Sequence, residues 1–252
     1  MIVIFDIYIY NILMSYKLMG IKIDGESFIC SLDHAFNLIN DDKVSQVVTI
    51  NPEMYAQAET DIEFKKVLQK AEMIVPDGIG IKIALKIKGH DVERVPGVDF
   101  ARTLIDWCAK NNKPIAIIGA KEEVINKAVE NLKKEVENLN IVYYHNGYFD
   151  DNNEIYEKLK ESAPRLVLVA LGSPKQEFFI YNAKNILPPC LMIGIGGSLD
   201  VWSGTVRRAP KIFQNLGLEW LYRTICQPER FKRIFPSIPK FLWKVITYKE
   251  DK

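Results

Sequence analysis

Six short runs, each nearly all apolar, recur along this chain, most of them separated by a helical pattern. That alternation limits the fold more than any other feature. The runs are VSQVVTI (44–50), MIV (73–75), PIAIIG (114–119), IVYYH (141–145), RLVLVAL (165–171) and LMIGIG (191–196). A strand with one wet face alternates apolar and polar residues, so a strand apolar throughout has to be covered on both faces. Between the runs, KEEVINKAVENLKKEVENL (121–139) sets Val124, Ala128, Leu132 and Val136 in one stripe of an otherwise charged helix. Such strands alternating with such helices predict an α/β fold, a mostly parallel sheet with helices on both faces.

Composition enters where it excludes alternatives. A chain of 252 residues, 48% apolar and 26% charged, is long enough for one large domain or a domain with an appendage, and it has the make-up of a packed core. Cys30, Cys108, Cys190 and Cys226 are widely scattered and form no CxxC pair. They suggest neither a zinc site nor a disulfide framework, and reduced cytosolic thiols are the simplest account. No apolar run reaches the length of a membrane span. The opening MIVIFDIYIYNILM lacks a basic start and carries Asp6 and Asn11, so it makes a poor signal peptide. It reads as an extra strand or as sequence ahead of a true start at Met14 or Met19. Charge is uneven: residues 206–252 hold eleven basic against four acidic residues, whereas residues 1–205 hold 22 against 28. The chain therefore divides into a core over 1–205 and a basic tail over 206–252.

Open α/β sheets bind ligands outside the carboxyl ends of their strands. Those ends read TINPE, PDGIG, GAKEE, HNGYFD, LGSPKQE and GIGGSLDVWSG. One glycine after a strand is ordinary turn chemistry. Several together describe a cleft floored by free backbone N–H groups, suited to a phosphate-bearing ligand. Asp77, between an apolar run and the glycines Gly78 and Gly80, is either an acid presented at the sheet's rim or the N-cap of the next helix. No GxxxxGK[ST], GxSxG or HExxH is present, and the glycine pattern does not fit a dinucleotide fingerprint. There is also no DxD triplet to hold a divalent ion against a nucleotide-sugar diphosphate. Positive side chains and backbone N–H groups would then have to meet a diphosphate's charge.

TINPEMYAQAETDIEFKKVLQKAEMIVPDGIGI, ERVPGVDF, IIGAK, HNGYFD, LGSPKQE, GIGGSLDVWSGTVRRAP and LGLEWLYR occur in order over about residues 19–245. In these segments the chain resembles the WecG/TagA/CpsF family of bacterial glycosyltransferases. The resemblance implies a Rossmann-like fold, no cofactor and no metal. It implies transfer of N-acetylmannosamine, its uronate or a related sugar from a UDP donor to an undecaprenyl-diphosphate-linked sugar. The branch that adds N-acetylmannosamine to lipid-linked N-acetylglucosamine for wall teichoic acid is the most similar. A β-linkage formed from an α-linked donor requires inversion, with a general base on the acceptor hydroxyl. The resemblance places that base at Asp77 and the sugar or acceptor contacts at Thr49 and Asn51. It gives Arg94 to the diphosphate, Gln176 to the β-phosphate or sugar, Tyr148 to stacking on uracil and Asp200 to its N3–H. Four of these have a plainer role: a helix opening at Asn51, a surface ion pair for Arg94, a core ring for Tyr148, a cap for Asp200.

The tail interleaves Trp220, Tyr222, Phe231, Phe235, Phe241 and Trp243 with arginines and lysines, and Pro228, Pro236 and Pro239 predict short, broken helices. Aromatics beside cations suit an anionic membrane surface, where each basic residue adds roughly 1 kcal/mol. A lipid-linked acceptor implies peripheral attachment at the cytoplasmic face. Nucleic acid is disfavoured by the acidic remainder of the chain. The exposed aromatics also allow a homo-oligomer. From the resemblance, Arg223, Arg230 and Arg233 would fold over the cleft and reach substrate phosphates. Two other classes stay open on the residues alone: a sensor of UDP-sugars or polyprenyl phosphates, and a nucleotide-sugar epimerase or dehydrogenase.

Overall fold

The computed structural model describes residues 14–226 and 231–248. Six parallel strands form the central sheet: β3 (Ser45–Ile50), β4 (Met73–Pro76), β5 (Ile115–Gly119), β6 (Ile141–His145), β7 (Leu166–Ala170) and β8 (Leu191–Gly194). Their order is β4-β3-β8-β7-β5-β6. Each of the six apolar runs is a strand, and the four inner ones are buried nearly end to end, as their composition requires. Edge strand β6 alternates between half-buried and exposed residues.

One face of the sheet is covered by α1 (Phe28–Asn40), α5 (Gly97–Lys110), α6 (Glu122–Glu135) and α9 (Ser198–Trp202). The charged helix read from the sequence is α6, with Val124, Ala128 and Leu132 buried among Ile117, Leu168 and Leu199. The other face carries α2 (Pro52–Ala58), α3 (Ile62–Gln69) and α4 (Ile79–Ile87) over β3 and β4. Helices α7 (Asn152–Ser162) and α8 (Lys175–Ala183) cover β5 and β7 on that same face. The helix after β3 thus goes to one face and the helix after β8, its neighbour, to the other. A crevice has to open at the carboxyl ends between them, and this is where such sheets bind ligands.

Two elements were not legible in the sequence. An antiparallel hairpin, β1 (Ser15–Leu18) with β2 (Ile21–Asp24), turns at Met19 and Gly20 and buries Leu18, Ile21 and Ile23 against α2 and α3. Beyond α10 (Lys211–Asn215) and α11 (Glu219–Cys226), the tail ends in one 17-residue helix, α12 (Phe231–Thr247), which continues through Pro236 and Pro239 instead of breaking at them. Its Phe241 and Val245, four residues apart on one face, are buried against α2 and α4, and the Phe241 ring packs on Tyr55 at 5.2 Å. Phe241 is therefore a core residue and offers nothing to a membrane. Burying that apolar face compensates for the backbone hydrogen bonds that two prolines forgo.

Candidate active site

A cavity of about 1100 Å³ lies over the carboxyl ends of the six strands. Seven of the ten residues expected at the site line it: Thr49, Asn51, Asp77, Arg94, Tyr148, Gln176 and Asp200. Arg230 lies outside the described residues, as do the side chains of Arg223 and Arg233. The volume exceeds the roughly 300–1,000 Å³ of a site for one drug-sized ligand. It has room for two substrates.

The walls are mostly helix starts. Helices α4, α5, α6, α8 and α9 all begin at this cavity, at Gly78, Pro96, Lys121, Pro174 and Gly197, and none has a side-chain cap. Of the helices that begin elsewhere, α1, α3 and α7 are capped, by Ser27, Asp61 and Asp151, and the short helix at Lys211–Asn215 is not; α2, which also begins at the cavity, is capped by Asn51. Uncapped N-termini leave backbone N–H groups and the positive ends of helix dipoles directed at the cavity. With Lys121 and Lys175 on the same walls, the arrangement suits an anion such as a diphosphate. Among the described residues, no three His, Cys, Asp or Glu side chains are grouped as a metal site.

Asp77 follows β4. The N-cap of α4 is Gly78, so the capping role open to Asp77 on the sequence is not filled at that helix. Gly78 sits at φ +84°, a left-handed conformation that glycine adopts without strain, and this turns the chain so that the carboxylate faces the cavity. Gly97, the first residue of α5, comes so close that a Cβ there would lie 3.1 Å from Thr49 Oγ1 and 3.2 Å from Asp77 Oδ2. Thr49 and Asp77, from adjacent strands, are thus brought together beneath the start of α5. Burial pushes the Asp77 carboxyl up to about 6, against the pull of Arg94 and of N–H bonds from Gly97 and Gly78, while Glu219 adds to the rise. A carboxylate poised near neutrality in a cavity has the properties of a general base.

The remaining side chains divide by what already holds them. Asn51 caps α2, its Oδ1 accepting from Glu53 N at 3.0 Å and Met54 N at 3.1 Å, so it has only its Nδ2 amide to offer a ligand. Gln176 is buried. Its Oε1 accepts from Gly196 N at 3.2 Å and its Nε2 donates to Glu177 Oε1 at 2.7 Å, which makes it a brace under the loop after β8. Tyr148 is 71% exposed on the rim, so the core-ring alternative does not hold. Asp200 stands in the first turn of α9. Arg94 is no exposed surface ion pair. It donates to the Gln214 carbonyl at 2.9 Å and lies 3.8 Å from Glu219 Oε2, with both side chains largely buried.

Sequence reasoning passed over Glu219, Lys121 and Lys175, all on the cavity wall, and gave Trp220, which lines the same wall, to a membrane surface. The two lysines had a signal in GAK and SPK, each just after a strand end. Ile238 of α12 also reaches the cavity, so the tail supplies part of its wall.

The model of the glycosyl transferase WecG/TagA/CpsF family matches residues 16–252. A Bacillus spizizenii (strain W23) protein named N-acetylglucosaminyldiphosphoundecaprenol N-acetyl-beta-D-mannosaminyltransferase is 36% identical over 229 residues, covering 90% of this chain and 88% of its own length. A Bacillus subtilis (strain 168) protein of the same name is 37% identical over 214 residues, covering 84% and 83%.

Proposed function

The chain belongs to the WecG/TagA/CpsF family of glycosyl transferases, and from that premise we propose that it moves N-acetylmannosamine from a UDP donor to undecaprenyl-diphosphate-linked N-acetylglucosamine, with Asp77 as the base. The acceptor hydroxyl oxygen attacks the anomeric carbon as the bond to the UDP oxygen breaks. The hydroxyl proton passes to Asp77, and the bonding pair leaves on the β-phosphate of UDP. One displacement inverts the anomeric centre.

The observation that carries this reading is the position of Asp77: a carboxylate raised to about 6, facing a cavity built from uncapped helix N-termini. The N–H groups of α6 and α8, with Lys121 and Lys175 on the cavity wall, are assigned to the donor diphosphate. Tyr148 at the rim offers its ring to the uracil, with Asp200 as acceptor for the uracil N3–H. Thr49 and the Asn51 amide are left for sugar hydroxyls. Arg94 serves the phosphates of donor or acceptor, and Arg223, Arg230 and Arg233 are assigned to the same charges on the sequence alone. Gln176 acts through the loop it braces.

A lipid-linked acceptor has to be met at a bilayer. No described helix is long and apolar enough to cross one. Peripheral docking on an anionic, cytoplasmic leaflet is supported by exposed Trp243 and Ile246 on α12 and by exposed Ile83 and Ile87 on α4, the helix it packs against. Lys86 and Lys240 are exposed on the same two helices. A panel of UDP-sugars offered with one lipid-linked N-acetylglucosamine acceptor, with product detected by mass, tests the function. UDP release that depends on the acceptor and prefers the N-acetylmannosamine donor is expected. Release without acceptor, or no product from that donor, would refute it.

A further inference from the structure

Glu219 is the sole acid among the described residues after 205, in a part of the chain otherwise rich in arginine and lysine. It stands at the start of α11, 14% exposed, with Arg94 Nη1 3.8 Å from its Oε2 and Arg208 Nε 3.6 Å from its Oε1. Neither distance is a hydrogen bond. Glu219 Oε1 and Arg208 Nε are both buried without a hydrogen-bond partner. Arg208 is held on its far side by Asp99 Oδ2 at 2.5 Å. A buried carboxylate that draws two guanidinium groups toward itself, with one oxygen unsatisfied, is an arrangement that folding alone does not favour. Its place beside the cavity suggests a purpose.

The purpose follows from what Arg94 would do otherwise. Arg94 is the cation that acts most strongly on Asp77, and a guanidinium paired directly with a carboxylate covers its oxygens and weakens it as a base. Glu219 competes for that cation. We propose that Glu219 is a positioning residue for the transfer step: by drawing Arg94 onto itself, with Arg208 on its other side, it holds Arg94 off Asp77 and leaves that carboxylate open to the acceptor hydroxyl. The charged groups facing this cluster are Arg94 from the segment before α5, Asp99 on α5 and Arg208 from the segment before α10. Glu53, Lys121, Lys175 and Asp200 share the cavity walls.

The inference rests on Asp77 being the base, and its test separates the two ideas. The acidic limb of kcat/KM against pH is measured in the full-length enzyme for wild type, Glu219→Gln and Arg208→Gln. Glu219→Gln keeps the shape and removes the charge, so the direct repulsion of Asp77 is lost, Arg94 turns to Asp77, and the two effects together move the limb down by about one pH unit. Arg208→Gln leaves Glu219 wholly to Arg94, so the limb moves up by about half a unit. Opposite shifts are the expected result, since a structural role alone would lower rates in both variants without moving their limbs apart. Limbs that stay put, or that move the same way, would overturn the role of Glu219 even if Asp77→Asn is inactive. Full turnover in Asp77→Asn would remove the base assignment itself. Should Glu219→Gln not fold, an unmoved or lowered limb in Arg208→Gln is enough to reject the proposal.

Discussion

Replacing Asp77 by asparagine should make this protein more stable while abolishing its activity. The Asp77 carboxyl has an ordinary value of 3.8 and stands at about 6 in the fold. Because the folded value is the higher one, the fold favours the protonated form. Stability is therefore lost as pH rises through the window from 3.8 to about 6, and above it the full cost is present. At about 1.4 kcal/mol per pH unit, that cost is about 3 kcal/mol at pH 8. Asparagine keeps one oxygen to accept from Gly97 N–H and loses the other acceptor, which takes back about 1 kcal/mol. The net gain of about 2 kcal/mol corresponds to a rise in Tm of about 5 °C at pH 8 for a chain of this size. At pH 5 wild type is largely protonated when folded, so the cost falls by about half and the net gain shrinks to about a third or less. Thermal unfolding of both proteins at the two pH values, with transfer assayed in parallel, checks this. A lower Tm for Asp77→Asn at pH 8, or an equal difference at both pH values, would refute the burial argument. Undiminished turnover would refute the role.

Other expectations follow from the same geometry. Gly97→Ala puts a methyl group within 3.2 Å of both Thr49 and Asp77. It should lower kcat/KM by at least about tenfold with little change in Tm, because small misplacements at a reacting centre are costly. Phe241→Ala, which empties the contact between α12 and Tyr55, should cost about 3 kcal/mol and lower Tm by about 8 °C, measured by calorimetry. An unchanged Tm would mean that the last helix does not belong to the core. Ile83→Glu with Ile87→Glu should weaken sedimentation with phosphatidylglycerol vesicles by about tenfold or more and leave transfer to a detergent-soluble acceptor intact.

The sheet was legible because parallel strands buried on both faces must be apolar along their length, and Val47, Leu168 and Ile193 obey that rule without help from distant residues. Helix α6 was legible because its stripe is local. What escaped depends on partners far away in sequence. The hairpin strands SYKL and IKID are too short to show a period, and only α2 and α3 give them a face to cover. Pro236 and Pro239 read as breaks until Phe241 finds Tyr55. At the site, the strand-end rule located Asp77, Thr49 and Asn51, and the helix opening at Asn51 was legible from Asn51–Pro52, but residue type alone did not reveal that Gln176 braces a loop. Glu219 carried no local signal in the basic tail, because the fold brings Arg94 to it from 125 positions earlier in the chain.

The most direct test of Asp77 as the base is kcat/KM for the lipid-linked acceptor against pH, which reports the ionisation of the free enzyme. The rate should rise with pH along a single-proton limb centred at about 6, where burial has put this carboxyl. A profile flat between pH 5 and 8 would contradict the account, as would a limb left in the ordinary carboxylate range.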